Sequence, residues 1–218
     1  MARESGTVPP RQLPIVGRMI PLEAQHQLKQ LILVRHGRTP ATERRAFGAD
    51  EALTEDSLAD ACALAGVLGS AGQYGRLRAL SSPARRARQT AAAAGFNAEL
   101  EPRLAECDFG SWIGKTLDEL DQDAVAAWMT DPDAAPHGGE SLSAFSTRIS
   151  QWLDDQANDE GSVVAFTHAG VIKAAVVAAL KAAPLASWQV AVDPLSLTEL
   201  QAHDGQWMLA RVNARSLI

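Results

Sequence analysis

The stretch LILVRHGRT, residues 31–39, places four apolar residues directly before Arg35, His36 and Gly37. Such a short, uninterrupted apolar run is typical of a strand that is buried on both faces of a sheet. In an open α/β sheet, ligands bind just beyond the carboxyl ends of the strands. We therefore expect Arg35 and His36 to lie at the end of a buried strand, beside a ligand.

The composition limits the classes of protein to consider. The chain has 218 residues, 46% of them hydrophobic, which is enough for a substantial core. Acidic residues outnumber basic ones by 26 to 20, which argues against a nucleic-acid-binding surface and restricts anion binding to a local site. The two cysteines, Cys62 and Cys107, suggest no disulfide framework, so we expect a cytoplasmic protein. No run approaches the about 18 to 20 apolar residues that span a membrane.

Short apolar runs alternate with helical patterns, which indicates an α/β fold with a mostly parallel sheet. Strands are expected at 30–34, 76–80 and 162–166. Helices are expected at 53–72, from a Ser82 cap to Gly95, at about 116–129, at 142–157 and at 169–183. In the first helix, the residues expected near one face are Leu53, Leu58, Ala61, Leu64, Ala65 and Leu68.

The two ends of the chain differ in character. Residues 1–27 carry four prolines and no signal-peptide core, so we expect a loosely ordered extension, with Met19 as an alternative start. Residues 28–218 are expected to form a single catalytic domain. Near the carboxyl terminus, Asp204-Gly205 separates two strand-like runs and predicts a hairpin.

Several chemically active residues follow the predicted strands. His36 follows the first strand and His168 follows the third. Small residues beside them, such as Gly37 and Ala169, would let backbone N–H groups approach an anion. The helix after the second strand opens with three arginines: Arg85, Arg86 and Arg88. A guanidinium binds phosphoryl oxygens with two charge-assisted hydrogen bonds, so this edge of the sheet suits a phosphate.

A metal site is a competing use for two histidines. The neighbouring arginines would repel a cation, and no third ligand occurs at a suitable spacing. We therefore expect neither a metal nor a cofactor.

Four segments occur in order: RHG with Thr39, SSPARRARQTA (81–91), LAECDFGSW (104–112) and FTHAG (166–170). At these separations they resemble the signature segments of the histidine phosphatase superfamily, also called the phosphoglycerate mutase-like family. The resemblance covers about residues 29–213. It implies a three-layer α/β/α sandwich around a mostly parallel mixed sheet.

The resemblance also implies roles for five residues. His36 would be the nucleophile that forms a phosphohistidine, and Glu106 would protonate the leaving alkoxide. Arg35 and Arg86 would clamp the phosphoryl oxygens, and His168 would hydrogen-bond the same group. The substrate contacts that it implies are Arg35, Arg86, His168, Ala169 and Thr42.

Three positions depart from the family pattern. Arg38 stands where many members have Glu, and Thr42 where they have an Asn that contacts phosphate or substrate. Ile113 replaces the Glu of a Trp-Glu-Gly segment. These departures leave the phosphoryl-transfer residues intact but weaken any inference about the leaving group.

We therefore predict a metal-independent phosphatase that acts on a small phosphorylated metabolite. Segments such as AFGADEALTE and DPLSLTEL resemble the corresponding segments of alpha-ribazole phosphatases, which makes alpha-ribazole phosphate a candidate substrate. A phosphoglycerate mutase is an alternative, although only Lys115 is basic between Trp112 and His137. A catalytically weak, phosphate-binding regulatory module is a third possibility. The sequence indicates no oligomeric state.

Overall fold

The computed structural model describes residues 29–69, 77–159 and 161–215. It contains a six-stranded sheet formed by β1 (Lys29–Arg35), β2 (Arg78–Ser81), β3 (Glu99–Leu100), β4 (Val163–Thr167), β5 (Leu197–His203) and β6 (Gln206–Ala214). The strand order is β3-β2-β4-β1-β5-β6. Strands β1 to β4 pair in parallel, whereas β5 pairs antiparallel with β1 and β6. The predicted mostly parallel mixed sheet is confirmed; the predicted 1–27 extension lies outside the described residues.

The helices lie between these strands. The α-helices are α1 (Pro40–Arg44), α2 (Glu55–Cys62), α3 (Leu64–Gly69), α4 (Arg85–Ala93), α5 (Gln122–Thr130), α6 (Leu142–Asn158) and α7 (Ala169–Ala179). Short 3-10 helices occur at Pro102–Leu104, Gly110–Trp112, Leu117–Glu119 and Pro184–Gln189. Within the described part of the chain, no helix has the length and apolar character needed to cross a membrane.

Strand β1 shows why the fold has three layers. Its side chains alternate between two separate cores, because successive residues of a strand point to opposite faces. Leu31 and Leu33 pack with α6 and α7 on one face. Ile32 and Val34 pack with α3 and α4 on the other. Covering both faces buries the whole apolar run, and the predicted α/β/α sandwich is confirmed.

The predicted helix at 53–72 is interrupted. The chain forms α2 and α3 with a break at Ala63, so the two halves do not share one continuous face. Leu58 and Ala65 are exposed, whereas Ala61, Leu64 and Leu68 are buried, so the predicted single face is wrong. Helical periodicity over the whole window concealed this break, because it assumes an unbroken helix.

The helix after β2 begins later than expected. Ser82 does not cap it; α4 starts at Arg85, and its N-cap, Ala84, makes no side-chain capping bond. The Ser82 hydroxyl instead contacts His168, at the end of the neighbouring strand β4. The predicted helix at 116–129 is likewise a 3-10 turn followed by α5, which Asp121 caps.

The hairpin prediction is confirmed. Asp204 and Gly205 both have positive φ, 50° and 70°, as a two-residue turn between antiparallel strands requires. They join β5 to β6.

The order of the strands in the sheet determines where the site lies. Strands β2, β4 and β1 are adjacent and parallel, so their carboxyl ends meet at one edge. Ser82, His168 and His36 follow directly from these three ends.

Candidate active site

The two histidines lie side by side at this edge. The ring centroids of His36 and His168 are 5.1 Å apart, with the ring planes inclined at 67°. Their exposed fractions are 4% and 0%. The backbone N–H of His36 donates to Thr167 at 2.8 Å, which continues the β1–β4 pairing one residue past the strand. The sheet itself therefore fixes the backbone of His36 beside the end of β4.

The hydrogen bonds of His36 define its tautomer. Nδ1 lies 2.7 Å from the carbonyl oxygen of Gly37, and a carbonyl can only accept, so Nδ1 carries the proton. Nε2 then has a free lone pair, which accepts from Arg86 Nε at 3.1 Å. Burial, followed by the charge of Arg86, lowers the pKa of His36 to about 3. At neutral pH the ring is therefore uncharged, and Nε2 is nucleophilic.

Two guanidinium groups lie near His36, and the charge of each contributes to its lowered pKa. Arg86 is 8% exposed and donates from Nη1 to the carbonyl of Ala49 at 2.6 Å. Arg35 donates from Nη1 to the carbonyl of Val192 at 2.6 Å, and its buried Nε has no hydrogen-bond partner in the described part of the chain. Buried arginines with free donor capacity favour an anionic ligand.

His168 is held by a residue far away in sequence. Its Nε2 lies 2.8 Å from Ser82 Oγ, and its buried Nδ1 has no partner among the described residues. Burial, followed by the charge of Arg86, lowers the pKa of His168 well below its usual value. The site therefore contains two neutral imidazoles beside two guanidinium groups.

Glu106 reaches the same place from a loop. Its Oε2 accepts from the N–H of Gly170 at 3.2 Å, in the first turn of α7. A Cβ on Gly170 would come within 2.2 Å of Glu106 Oε1, so this close approach requires glycine. The carboxylate also accepts from the N–H of Cys107 at 3.1 Å.

Two side chains anchor the Glu106 loop. Thr167 donates from its hydroxyl to the carbonyl of Leu104 at 2.8 Å. Arg148 of α6 donates to the carbonyls of Arg103 and Ala105, at 2.6 and 3.1 Å. Arg148 is itself held by a two-bond ion pair with Glu140, at 3.0 and 2.7 Å. The carboxylate position thus depends on α6 and β4 as well as on the loop.

The two arginines, His36 and Glu106 line a cavity of about 180 Å³, which we name the phosphate pocket. Among the predicted site residues, its lining includes Arg35, His36, Thr42, Arg86, Glu106 and Ala169. His168 is fully buried against His36. The structure thus brings all the predicted site residues to one place. No group of three or more potential metal ligands occurs among the described residues.

The departures from the family pattern have different surroundings. Arg38 lies on the surface, where it forms an ion pair with Asp60 at 2.9 Å. Thr42 lines the phosphate pocket, but its hydroxyl proton is donated to the carbonyl of Thr39 within the α1 capping box. Ile113 also lines the pocket, with 46% of its surface exposed. Of the three departures, two face the ligand space.

The expected role of Gly37 is wrong. Its N–H does not approach the pocket but donates to Thr90 Oγ1 of α4 at 3.1 Å. A Cβ at Gly37 would come within 2.3 Å of Ser57 Oγ, so glycine is needed for packing between β1 and α2. The N–H of Gly170 is not free either, because it donates to the Glu106 carboxylate.

Cys107 and Asp108 act as loop residues. Burial and the neighbouring Glu106 raise the pKa of the Cys107 thiol, which disfavours the nucleophilic thiolate. Asp108 accepts from the N–H of Gly110 at 2.9 Å.

Sequence reasoning missed two residues of this region. The local pattern predicts only a helix cap at Ser82 and does not indicate its contact with His168. Lys173 lies on α7 four residues after Ala169, and it borders a second cavity beside the pocket. One signal for it was available, because Lys173 is a lone charge within an apolar helix, AGVIKAAVVAA.

Comparisons with known proteins agree with this geometry. The model of the histidine phosphatase superfamily (branch 1) matches residues 31–215. Glucosyl-3-phosphoglycerate phosphatase of Mycobacterium tuberculosis is 33% identical over 196 residues, which cover 80% of this chain and 86% of that protein. The corresponding protein of Mycolicibacterium vanbaalenii is 34% identical, over 75% and 79% of the two chains.

Solved structures show the same fold. A mycobacterial glucosyl-3-phosphoglycerate phosphatase in complex with VO3 superposes with a TM-score of 0.75 at 31% identity, over 85% of this chain and 99% of that one. A candidate alpha-ribazole-5'-P phosphatase from Escherichia coli has a TM-score of 0.75 at 24% identity, over 86% and 97%. The second likeness shows the fold alone. With the family model spanning nearly all the described residues, the chain belongs to the histidine phosphatase superfamily and is a phosphatase of its branch 1.

Proposed function

We propose that the protein hydrolyses phosphomonoesters without a metal, through a phosphohistidine at His36. The observation that carries this proposal is the pair of hydrogen bonds of His36, which engage Nδ1 with the Gly37 carbonyl and leave Nε2 to accept from Arg86 Nε at 3.1 Å. A phosphoryl group that approaches Nε2 enters the reach of this guanidinium. Nucleophile and charge stabilisation therefore meet at one point.

In the first step, Nε2 of His36 forms a bond to phosphorus as the ester P–O bond breaks. Arg35 and Arg86 neutralise the charge on the phosphoryl oxygens, and His168 hydrogen-bonds the same group. Glu106, in its protonated form, gives its proton to the leaving alkoxide, which departs as an alcohol.

In the second step, water attacks phosphorus and the P–N bond breaks. Glu106, now a carboxylate, takes the proton from the attacking water. The products are inorganic phosphate and His36 in its original neutral form, so no net redox or metal chemistry is involved. Substrate contacts at Ala169 and Thr42 complete the proposed site; Thr42 would have to release its bond to Thr39 to donate.

Several substrates are consistent with this site. The relatives at 33–34% identity support glucosyl-3-phosphoglycerate as the first compound to test. Alpha-ribazole phosphate remains a candidate because of the segments AFGADEALTE and DPLSLTEL. The Escherichia coli structure supports only the fold, so it adds nothing about the substrate. We propose a hydrolase rather than a mutase, because Lys115 is the one basic residue between Trp112 and His137. Cysteine usage supports a cytoplasmic location.

The test is to trap the intermediate. Rapid quenching of the enzyme and a labelled phosphomonoester in alkaline denaturant should reveal a phosphoenzyme that is stable to base and labile to acid. His36→Ala should abolish it and lower kcat by about 10⁴-fold or more. Activity retained by His36→Ala would contradict the proposal, and turnover lost on chelation would restore the metal alternative.

The screening panel contains glucosyl-3-phosphoglycerate, alpha-ribazole phosphate, 3-phosphoglycerate, sugar phosphates and phosphoamino acids. Release of phosphate is expected. Isomerisation of 3-phosphoglycerate faster than its hydrolysis would support a mutase. Phosphate binding with no turnover across the panel would support the regulatory module.

A further inference from the structure

A second cavity adjoins the phosphate pocket. Its volume is about 200 Å³, and we name it the side cavity. Glu106, Phe109 and Ala169 line both spaces, so the two cavities share a wall. Because Glu106 is the proposed proton donor to the leaving alcohol, the side cavity continues on the side of the leaving group.

The walls of the side cavity are largely aromatic and aliphatic. Its large apolar residues are Phe109, Trp128, Leu142, Phe145 and Trp188. Trp128 and Trp188 contact each other edge to face, with ring centroids 4.6 Å apart. Such walls suit the apolar faces of an organic group rather than inorganic phosphate alone.

Within these walls lie polar groups that lack partners. Ser187 is 4% exposed, and its hydroxyl makes no hydrogen bond to any described residue. The indole N–H of Trp188 is also buried without a partner in the described part of the chain. Buried donors are normally satisfied, so these two point to a ligand acceptor.

Lys173 adds a positive charge to the same cavity. Its side chain is partly buried, and it has no ion pair or hydrogen bond to any described residue. Burial, reinforced by the charge of Arg35, lowers the pKa of Lys173, and Glu106 opposes this shift. Glu106 is the one acid among the described lining residues, and its oxygens already accept from Cys107 and Gly170. The Lys173 ammonium thus makes no direct ion pair within the described part of the chain, although the Glu106 charge lies near it.

Helix geometry relates Lys173 to the phosphate pocket. Ala169 and Lys173 are four residues apart on α7, so they lie on one face, about 6 Å apart along the axis. Ala169 directly follows His168. An anionic group a few bonds away from the ester oxygen could therefore reach Lys173 while its phosphate contacts the arginines.

We propose that Lys173 and Ser187 form a subsite for a carboxylate on the leaving alcohol of the substrate. Lys173 supplies the charge, Ser187 donates its hydroxyl proton, and the aromatic walls hold the remainder of the alcohol. The proposal names the substrate class as phosphomonoesters with a second anion near the ester, and it rests on the proposed function. A cationic leaving group is disfavoured by Lys173 and Arg35 together.

The test compares two probes that differ in one group: 3-phosphoglycerate, and glycerol 3-phosphate, which has a hydroxymethyl in place of the carboxylate. Both are titrated calorimetrically into the full-length His36→Ala protein, which removes turnover. We expect 3-phosphoglycerate to bind at least about 10-fold more tightly. Adding Lys173→Met should reduce this ratio to near 1, and Lys173→Arg should retain part of it.

A matched variant controls for net charge. Lys181→Met removes the same charge from the turn after α7, where Lys181 is exposed and donates to Gln206. It should leave the binding ratio unchanged. Ser187→Ala should lower the ratio by a smaller factor than Lys173→Met, and it provides a second measurement if the latter fails to fold.

The outcomes separate this inference from the proposed function. A ratio near 1 in the His36→Ala parent, or an equal fall in Lys181→Met, overturns the carboxylate subsite even if the phosphoenzyme forms. A ratio that depends on Lys173, in a protein whose wild type yields no phosphoenzyme, supports the subsite and overturns the hydrolase.

Discussion

The phosphate pocket and the side cavity differ in how their polar side chains are held. In the phosphate pocket, His36 binds Arg86 and His168 binds Ser82 without any ligand, although Arg35 Nε and His168 Nδ1 have no partner among the described residues. In the side cavity, Lys173 and Ser187 have no such partners among the described residues. Preorganised groups favour chemistry common to all substrates, because they need no reorganisation at the moment of reaction. Unpaired groups instead favour selection, because only a matching ligand satisfies them.

The largest effect is expected from a substitution in the phosphate pocket. Arg86→Ala should lower kcat/KM by about 10³-fold for every phosphomonoester, because the charge on the phosphoryl oxygens is present whatever the leaving group. Steady-state kinetics with p-nitrophenyl phosphate and an alkyl phosphate measure this loss.

Arg88→Ala is the matched control, since Arg88 is an exposed arginine on the same helix. It should retain nearly full activity. A large loss in Arg88→Ala with none in Arg86→Ala would mean that the clamp was assigned to the wrong arginine.

The next largest effect concerns Glu106, which lines both cavities. Glu106→Gln should slow phosphoenzyme formation by about 10²-fold for an alkyl phosphate, since an alkoxide needs a proton to leave. It should slow the same step much less for p-nitrophenyl phosphate, whose leaving phenolate is stable without a proton. Rapid-quench measurements isolate this step from hydrolysis. Equal losses for both substrates would remove Glu106 from the role of proton donor.

The smallest expected effect concerns the hydrogen bond that orients His168. Ser82→Ala should lower kcat by about 10-fold with little change in KM, because the imidazole then loses its buried partner. Ser82→Thr keeps the hydroxyl and should restore activity.

Ser81→Ala is the comparison variant, because Ser81 is an adjacent buried serine whose hydroxyl donates only to the Ser82 carbonyl. Equal losses in Ser81→Ala and Ser82→Ala would indicate general disruption of this strand end instead of histidine positioning.

Much of the fold was predictable because its signals are local. The apolar run before Arg35 predicts a buried strand, and Asp204-Gly205 predicts the hairpin. Local patterns were less reliable where an element breaks: Ala63 separates α2 from α3 without a glycine or proline to mark the point. The expected Ser82 cap fails for a different reason: α4 begins only at Arg85, and the Ser82 hydroxyl instead accepts from the N–H of Ala84 and contacts His168, which follows β4.

The sequence by itself determined the α/β class, the family, and the residue types that gather at the strand ends. It could do so because strand ends and signature segments depend on residues that are close together in the sequence. The tertiary structure alone decided that Ser82 contacts His168, 86 residues away, that Gly37 serves packing, and that Lys173 faces a cavity. These contacts join elements distant in sequence, so they depend on how the sheet and helices pack.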